Sequence, residues 1–400
     1  MKHETQVALA RRFFEHIDRK TTDMAPHLAY NAVSAYTCTE RLARERQILF
    51  REHPLIVGFG CQIPRPGDFL TEDSTGLPVL VTRNSDGQVR AFVNVCRHRG
   101  AMVETAEAGC GRKVFTCPYH AWSYDLEGRL AGLPDGEGFA GLNREQYCLR
   151  ELPAAERHGL LWVRHSPGAP IDPDALLTPP LAEELAAYGL ADWHHFETRR
   201  LTYRLNWKGV VDTFLEAYHV GKLHRQTIGP LFHDNMVLFD AFGANHRMVL
   251  ARKSIIEARD NPEAAAGLVE ELGIVYVLFP NIVFNRIAEH MEMWRVYPGP
   301  TTDECFMYLT LVTPEPVQTD RAMRHWQNNL RLTIATVEGE DFPVGETIQA
   351  NFHSDAQDYV TYGCNEPAMA HYHRSIRTAL GEPAELEPPI ARPVAAAATP

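Results

Sequence analysis

The 400 residues contain only eight cysteines, no dense block of lysine and arginine, and no long uninterrupted apolar run. Eight cysteines in a chain of this length are too sparse for a disulfide scaffold. Cys38, Cys61, Cys148, Cys305 and Cys364 stand alone, the pattern of reduced, partly buried side chains in a cytoplasmic protein. Acidic side chains number 51 against 39 basic ones, a formal net charge of −12. That balance argues against a nucleic-acid partner and against a polybasic membrane anchor. The longest mostly apolar stretch, residues 272–284, is interrupted by Pro280 and Asn281. It falls short of the ~18–20 residues of a spanning helix. The first six residues carry an acid and no apolar core, against a secretory signal.

What is present fits a globular chain of two to three domains at roughly 150 residues each. Residues 1–50 read as a helical segment, with apolar faces at Val7 to Phe14 and Leu42 to Phe50, and are expected to pack on the C-terminal domain. From 51 to 166 the pattern turns to short strands, around Leu55, Val79, Val89 and Leu160. Asn84-Ser85-Asp86-Gly87 is a hairpin signal between two of them. Residues 167–385 mix strand candidates (196–203, 247–250, 274–278, 306–312) with helix candidates at 175–188, 207–218, 261–271 and 318–337. The reading is α+β: a small all-β domain, then strands with inserted helices enclosing a hydrophobic pocket. The Pro- and Ala-rich residues 386–400 read as a disordered tail.

Five residues cluster in a 25-residue window. Cys96-Arg97-His98-Arg99-Gly100 and Cys117-Pro118-Tyr119-His120 form a C-x-H and C-x-x-H pair, with 18 residues between His98 and Cys117. Each loop follows a strand candidate. Four such ligands suit zinc or an iron–sulfur cluster. Two histidines replacing two cysteines on one iron is the ligand set of a Rieske-type [2Fe–2S] centre. Cys110 lies between the loops without a cysteine partner in the second loop.

A second constellation runs from Asn206 to His224. Glu216 and His219 are three apart, on one face of a helix. His219 and His224 are five apart, ~140° around a regular helix, so one ion can meet both only if the helix widens or breaks. Gly221 is the residue that permits a break or π-type bulge. Two histidines and one carboxylate form the facial triad of non-haem Fe(II) oxygenases.

The run Cys-Arg-His-Arg-Gly, then Cys-Pro-Tyr-His-Ala-Trp-Ser-Tyr-Asp-Leu-Glu-Gly-Arg-Leu, resembles the cluster domain of the Rieske non-haem iron oxygenases, the ring-hydroxylating alpha-subunit family. The 206–224 segment is similar to that family's iron-binding helix. The resemblance covers residues 40–365 and implies a Rieske domain plus a helix-grip (START-like) catalytic domain. It implies a cluster held by Cys96, His98, Cys117 and His120, with Trp122 packed beneath it. Ala121 departs from the family's usual glycine.

The family's third iron ligand is an aspartate on a long C-terminal helix. Asp341 takes that position; Glu340 is its rival, and Asp355 and Asp358 are weaker candidates. Glu216 takes the place of the acid that bridges cluster and iron between neighbouring subunits of a head-to-tail trimer. Glutamate there is associated with members that oxidise quaternary ammonium methyl groups. Asp212 stands where aromatic dioxygenases usually carry asparagine, with proton delivery or hydrogen-bond capping as its roles.

The implied activity is that of a terminal oxygenase using O2 and electrons from NAD(P)H to hydroxylate an aromatic ring or a methyl group. The chain carries no Rossmann or flavin fingerprint and no C-x4-C-x2-C spacing, so a separate reductase, with or without a ferredoxin, supplies the electrons. The alternative is a non-catalytic Rieske electron carrier fused to a hydrophobic-ligand domain. Phe214, Phe232, Met236, Phe239, Phe284 and Met293 are the candidate pocket lining.

Overall fold

A computed structural model describes residues 1–384 apart from Ala266, so the tail expected over 386–400 lies outside the described residues. The cluster half consists of three small antiparallel sheets. Five strands line up as Glu151–Leu152, Val89–Val93, Val79–Arg83, Phe69–Glu72 and Ala108–Gly109. The expected hairpin turn is there: Asn84 Oδ1 accepts from the Asp86 and Gln88 N–H groups, and Gly87 takes a left-handed φ of 78°. A second sheet, Val114–Thr116, Ser123–Asp125 and Leu130–Gly132, carries the second ligand loop at its start.

The catalytic half is built on seven antiparallel strands. His194–Tyr203 pairs with the last strand, Cys305–Thr313, and the order then runs back through His290–Pro298, Ile282–Ile287, Leu272–Leu278, Asn245–Ala251 and Leu238–Phe242. Both faces of this sheet are covered. Val249, Ile274, Phe284 and Met293 pack on one side with Phe13 and Leu185 from the N-terminal and 179–186 helices. Met248, Val277, Val283, Trp294 and Leu309 face the other side, toward the long helix Asp320–Thr336. Burial on both faces hides the period-two alternation, and strands 282–287 and 290–298 are not among the expected strands.

Two expected helices differ. Residues 261–271 form only short 3-10 turns, Pro262–Ala264 and Leu268–Glu271. The 207–218 helix stops early, as Trp207–Asp212, and resumes only as Val220–Leu223. Asn206 caps its start, accepting from the Lys208 N–H and donating to the Tyr36 and Thr302 carbonyls.

This short helix is anchored by a buried charge pair. Lys208 Nζ lies 2.7 Å from Glu45 Oε2, which also accepts from Trp207 Nε1 at 2.9 Å, while Arg41 reaches the other carboxylate oxygen. Both charged side chains are 1% exposed or less. Burial pushes the Lys208 amine down, and Glu45 opposes that shift. Glu45→Ala would leave a buried ammonium and an indole N–H without their acceptor. The expected loss is about 3–5 kcal/mol of stability, read by urea denaturation; a loss below about 1 kcal/mol would mean that Lys208 is not held by this pair.

Candidate metal centres

The two cysteine–histidine loops are built alike. In the first, Gly100 N–H donates to the Cys96 carbonyl at 3.0 Å; in the second, Ala121 N–H donates to the Cys117 carbonyl at 3.0 Å. Each loop closes on a residue with positive φ, 83° at Gly100 and 57° at Ala121. The alanine therefore sits in the left-handed region that glycine enters without strain.

Cys96 and Cys117 are buried with free thiols. The rings of His98 and His120 lie 4.7 Å apart between centroids. His98 stacks on Trp122 at 4.7 Å and 8°, and its buried Nδ1 has no hydrogen-bond partner. Tyr124 Oη lies 3.4 Å from Cys96 Sγ and accepts from the Arg97 N–H. Two paired thiols and two paired imidazoles, one with an orphaned ring nitrogen, fit a two-iron cluster with cysteines on one iron and histidines on the other. At the outer tip the Arg99 guanidinium lies over the exposed Tyr119 ring.

The second centre brings together the three expected residues. Ligand atoms of His219, His224 and Asp341 all lie within 4.8 Å of one another. Asp341 Oδ1 is 3.4 Å from His219 Nε2 and 3.3 Å from His224 Nε2. Both Nδ1 atoms point away, each to its own carboxylate: His219 to Glu216, and His224 to Glu340 at 2.6 Å. Two imidazoles with their tautomers fixed from behind and Nε2 converging on a carboxylate fit a divalent ion with open positions. Burial lowers the His219 pKa, yet bonds to Asp341 and Glu216 outweigh it and carry the ring to about 9. Burial likewise raises Asp341, and the two histidines more than offset it. Three carboxylates thus surround a position built for positive charge.

The backbone device that achieves this was expected in the wrong helix. Gly221 lies inside the short Val220–Leu223 turn, and the chain breaks earlier, over 213–219. A Cβ on Gly221 would meet the carboxylate of Asp234, the far end of a half-exposed side chain. The π-type turn is instead Val337–Asp341, between helices Asp320–Thr336 and Phe342–Asn351, and it carries Asp341 and Glu340. Glu340 is placed behind His224, with Thr227 Oγ1 also donating to it at 2.7 Å. Its part in orienting His224 was not foreseen. Asp212 accepts from Tyr36 Oη at 2.7 Å and lies 2.8 Å from His373 Nε2, inside a hydrogen-bond network that also includes Tyr362. Neither Asp355 nor Asp358 belongs to the three-residue group.

A cavity of about 270 Å³ opens beside the triad. Phe214 and Phe232 line it as expected, whereas Met236, Phe239, Phe284 and Met293 do not. Phe284 and Met293 are cross-strand partners on the opposite face of the sheet. Their neighbours Asn285 and Glu292, also partners, face the cavity instead. Strand alternation makes an error of one residue an error of face.

Two family models match the chain: the Rieske [2Fe-2S] domain over residues 53–143 and the ring hydroxylating alpha subunit (catalytic domain) over residues 190–382. The glycine betaine monooxygenase oxygenase subunit of Pseudomonas aeruginosa is 32% identical over 242 residues, covering 60% of this chain and 55% of the relative. The chain thus spans about half the length of that relative. Putrescine 2-hydroxylase of Bordetella bronchiseptica is 26% identical over 387 residues, covering 88% of this chain and 84% of the relative. A quaternary ammonium Rieske monooxygenase solved with L-carnitine superposes at a TM-score of 0.74, with 19% identity, over 89% of this chain and 96% of that one. Naphthalene 1,2-dioxygenase with indole bound gives 0.69 at 18% identity, over 88% and 92%. Among the described residues no helix is long and apolar enough to cross a membrane.

Two variants test this architecture. Ala121→Gly should stabilise the cluster loop by up to about 1 kcal/mol, read as a raised thermal midpoint with the cluster's visible spectrum unchanged; destabilisation would contradict the strain at this position. Glu340→Gln should weaken iron retention roughly ten- to a hundredfold, measured by metal content after chelator challenge. Retention at the wild-type level would mean that Glu340 does not orient His224.

Proposed function

Because this chain belongs to the Rieske oxygenase alpha-subunit family, whose two domains use a [2Fe–2S] cluster and a mononuclear iron, we propose that it is the terminal oxygenase of a multicomponent system acting on a small amine. The overall reaction is substrate, O2, NAD(P)H and a proton giving hydroxylated product, water and NAD(P)+. A separate reductase, with or without a ferredoxin, supplies the electrons. Hydroxylation of an N-methyl group would release formaldehyde and the demethylated amine.

The observation that carries this reading is the pair of imidazoles whose Nε2 atoms converge on Asp341, at the wall of a largely apolar cavity. His219, His224 and Asp341 would hold the iron; Cys96, His98, Cys117 and His120 would hold the cluster. When bound, the iron supplies O2 activation beside the substrate, and the cluster supplies electrons one at a time. The protein's own part is to fix both tautomers through Glu216 and Glu340 and to place the substrate in the cavity lined by Phe214 and Ile228. A carrier that merely bound a hydrophobic ligand would need none of the three iron-binding residues.

Glu216 is the proposed bridge. Its carboxylate accepts both the His219 ring N–H and, at 3.0 Å, the His219 backbone N–H, and it lines a second hollow of about 250 Å³ that also touches His219 and Asp341. Val344 and Ile348 edge that hollow and are exposed apolar side chains. A neighbouring subunit's cluster tip would dock there in a homotrimer, with the acid between an iron histidine and a cluster histidine. Asp212 acts as a positioning residue through Tyr36 and His373. Amines are favoured over flat aromatic rings because glycine betaine and putrescine, named for the two relatives, are both nitrogen cations, and because this cavity contains a buried carboxylate. A cytoplasmic setting fits eight cysteines with no disulfide among them.

His224→Ala should keep the cluster spectrum and abolish substrate-dependent O2 uptake; undiminished uptake would place the iron elsewhere. Glu216→Gln should leave both metals bound while slowing single-turnover oxidation of the reduced cluster at least about tenfold. A wild-type rate in that variant would remove the bridge assignment.

A further inference from the structure

Besides the triad's Asp341, with Glu216 behind it, the cavity's charged lining residues are Arg252 and Glu292, the latter in the middle of strand His290–Pro298 with no measurable exposure. Its Oε1 is saturated: Thr333 Oγ1 donates to it at 2.7 Å, and His290 Nε2 lies 3.1 Å away. Its Oε2 is buried and has no hydrogen-bond partner among the described residues. Met248, Val275, Asn285 and Glu292 are successive cross-strand partners and form one row of the sheet, and every member of that row lines the cavity. Asn285 Oδ1, beside Glu292 in the row, is likewise buried and unpartnered.

A carboxylate can only accept, and a buried carboxylate oxygen that meets no donor is costly to keep. A purely structural side chain here would need a single acceptor for Thr333 and His290, which a glutamine oxygen provides. The second oxygen has no structural task. The surrounding wall offers Phe214 and Phe232 as its aromatic residues besides histidine, fewer than the tryptophan- and tyrosine-rich cage that holds a quaternary ammonium by its faces.

We propose that Glu292 is the specificity-determining residue of the substrate cavity, its free oxygen accepting a hydrogen bond from the N–H of a small protonated amine. This inference rests on the amine-oxygenase reading above and narrows it to ammonium groups that retain at least one N–H. The cation supplies the missing donor and the compensating charge together, and Asn285 accepts from the same nitrogen or a neighbouring one. Quaternary ammonium compounds, which carry no N–H, satisfy the charge and leave the acceptor unpaired. Neutral rings satisfy neither. The cavity volume, at the low end for ligand sites, suits a short amine.

The test is anaerobic calorimetry on the iron- and cluster-loaded protein with 1,4-diaminobutane, N,N-dimethylglycine, glycine betaine and indole. The first two are expected to bind best. Glu292→Gln should weaken them roughly ten- to a hundredfold, while iron content and cluster spectrum hold and the thermal midpoint stays or rises. If Glu292→Gln fails to fold, Glu292→Asp, which keeps the charge and withdraws it by one methylene, should weaken the same two amines. The proposal is overturned if neither amine binds, if betaine or indole binds more tightly than both, or if the variant changes amine affinity by less than about threefold. Amine binding without amine-dependent O2 uptake by reduced wild type would instead overturn the oxygenase reading and leave Glu292 in place as an ammonium site.

Discussion

Everything at the mononuclear centre follows from one geometric demand: two imidazoles five residues apart must present the same ring nitrogen to one carboxylate. A continuous helix cannot meet it, since the two side chains would diverge by roughly 140°. The chain meets it by leaving regular helix at both places that supply ligands. His219 and His224 stand at the two ends of the one-turn helix Val220–Leu223, which the unwound 213–219 separates from Trp207–Asp212, and Asp341 ends a π-type turn, Val337–Asp341. A histidine on an irregular segment would be free to rotate, so each ring is fixed from behind, one by Glu216 and the other by Glu340. The two acids therefore do for orientation what helical backbone would otherwise have done.

Irregular backbone at a site has to be held from outside it. Asn206 caps the short helix, Glu45 pins Lys208 and Trp207 from the N-terminal segment, and Asp212 is tied through Tyr36 and His373 to the last helix, Pro367–Ala379. The cluster half is joined to the same sheet by another buried pair, Arg295 with Glu72 at 2.9 Å. Buried pairs of this kind contribute little net stability relative to apolar replacements, but each tolerates only one arrangement. Their concentration around the 206–224 segment is consistent with positional precision as their use, and it accounts for ordered elements as distant as residues 45 and 373 bearing on one metal position.

The sequence made the ligand loops legible because their information is local. Cys96 to Gly100 and Cys117 to His120 are short motifs whose spacing alone limits the chemistry, and His219 with His224 states the need for a broken helix. The α+β class was legible from strand and helix patterning, and resemblance supplied the long-range third ligand at Asp341. Three things were not legible. The break falls over 213–219, ahead of Gly221, so the presence of a glycine did not mark it. Glu340 and Asp341 are adjacent in sequence, and only the π-type turn decides that one faces the metal position while the other faces His224 Nδ1. The pocket lining required strand register, and a sheet buried on both faces offers no polar–apolar alternation from which to read it.

That last failure points to how the scaffold divides its labour. On strand His290–Pro298, Met291 and Met293 belong to the core shared with the N-terminal helix, whereas Glu292, between them, faces the cavity. On Ile282–Ile287, Phe284 and Asn285 split in the same way, as do Val249 and Met248 on Asn245–Ala251. Alternate residues of the same strands thus carry two separate duties, one stabilising the sheet and the other meeting the substrate. Because side-chain direction reverses at every step along a strand, the substrate-facing set can change chemically without altering the residues that hold the sheet to its second core. A fold of this design sets where the reaction happens, and the row from Met248 to Glu292 sets what can lie there.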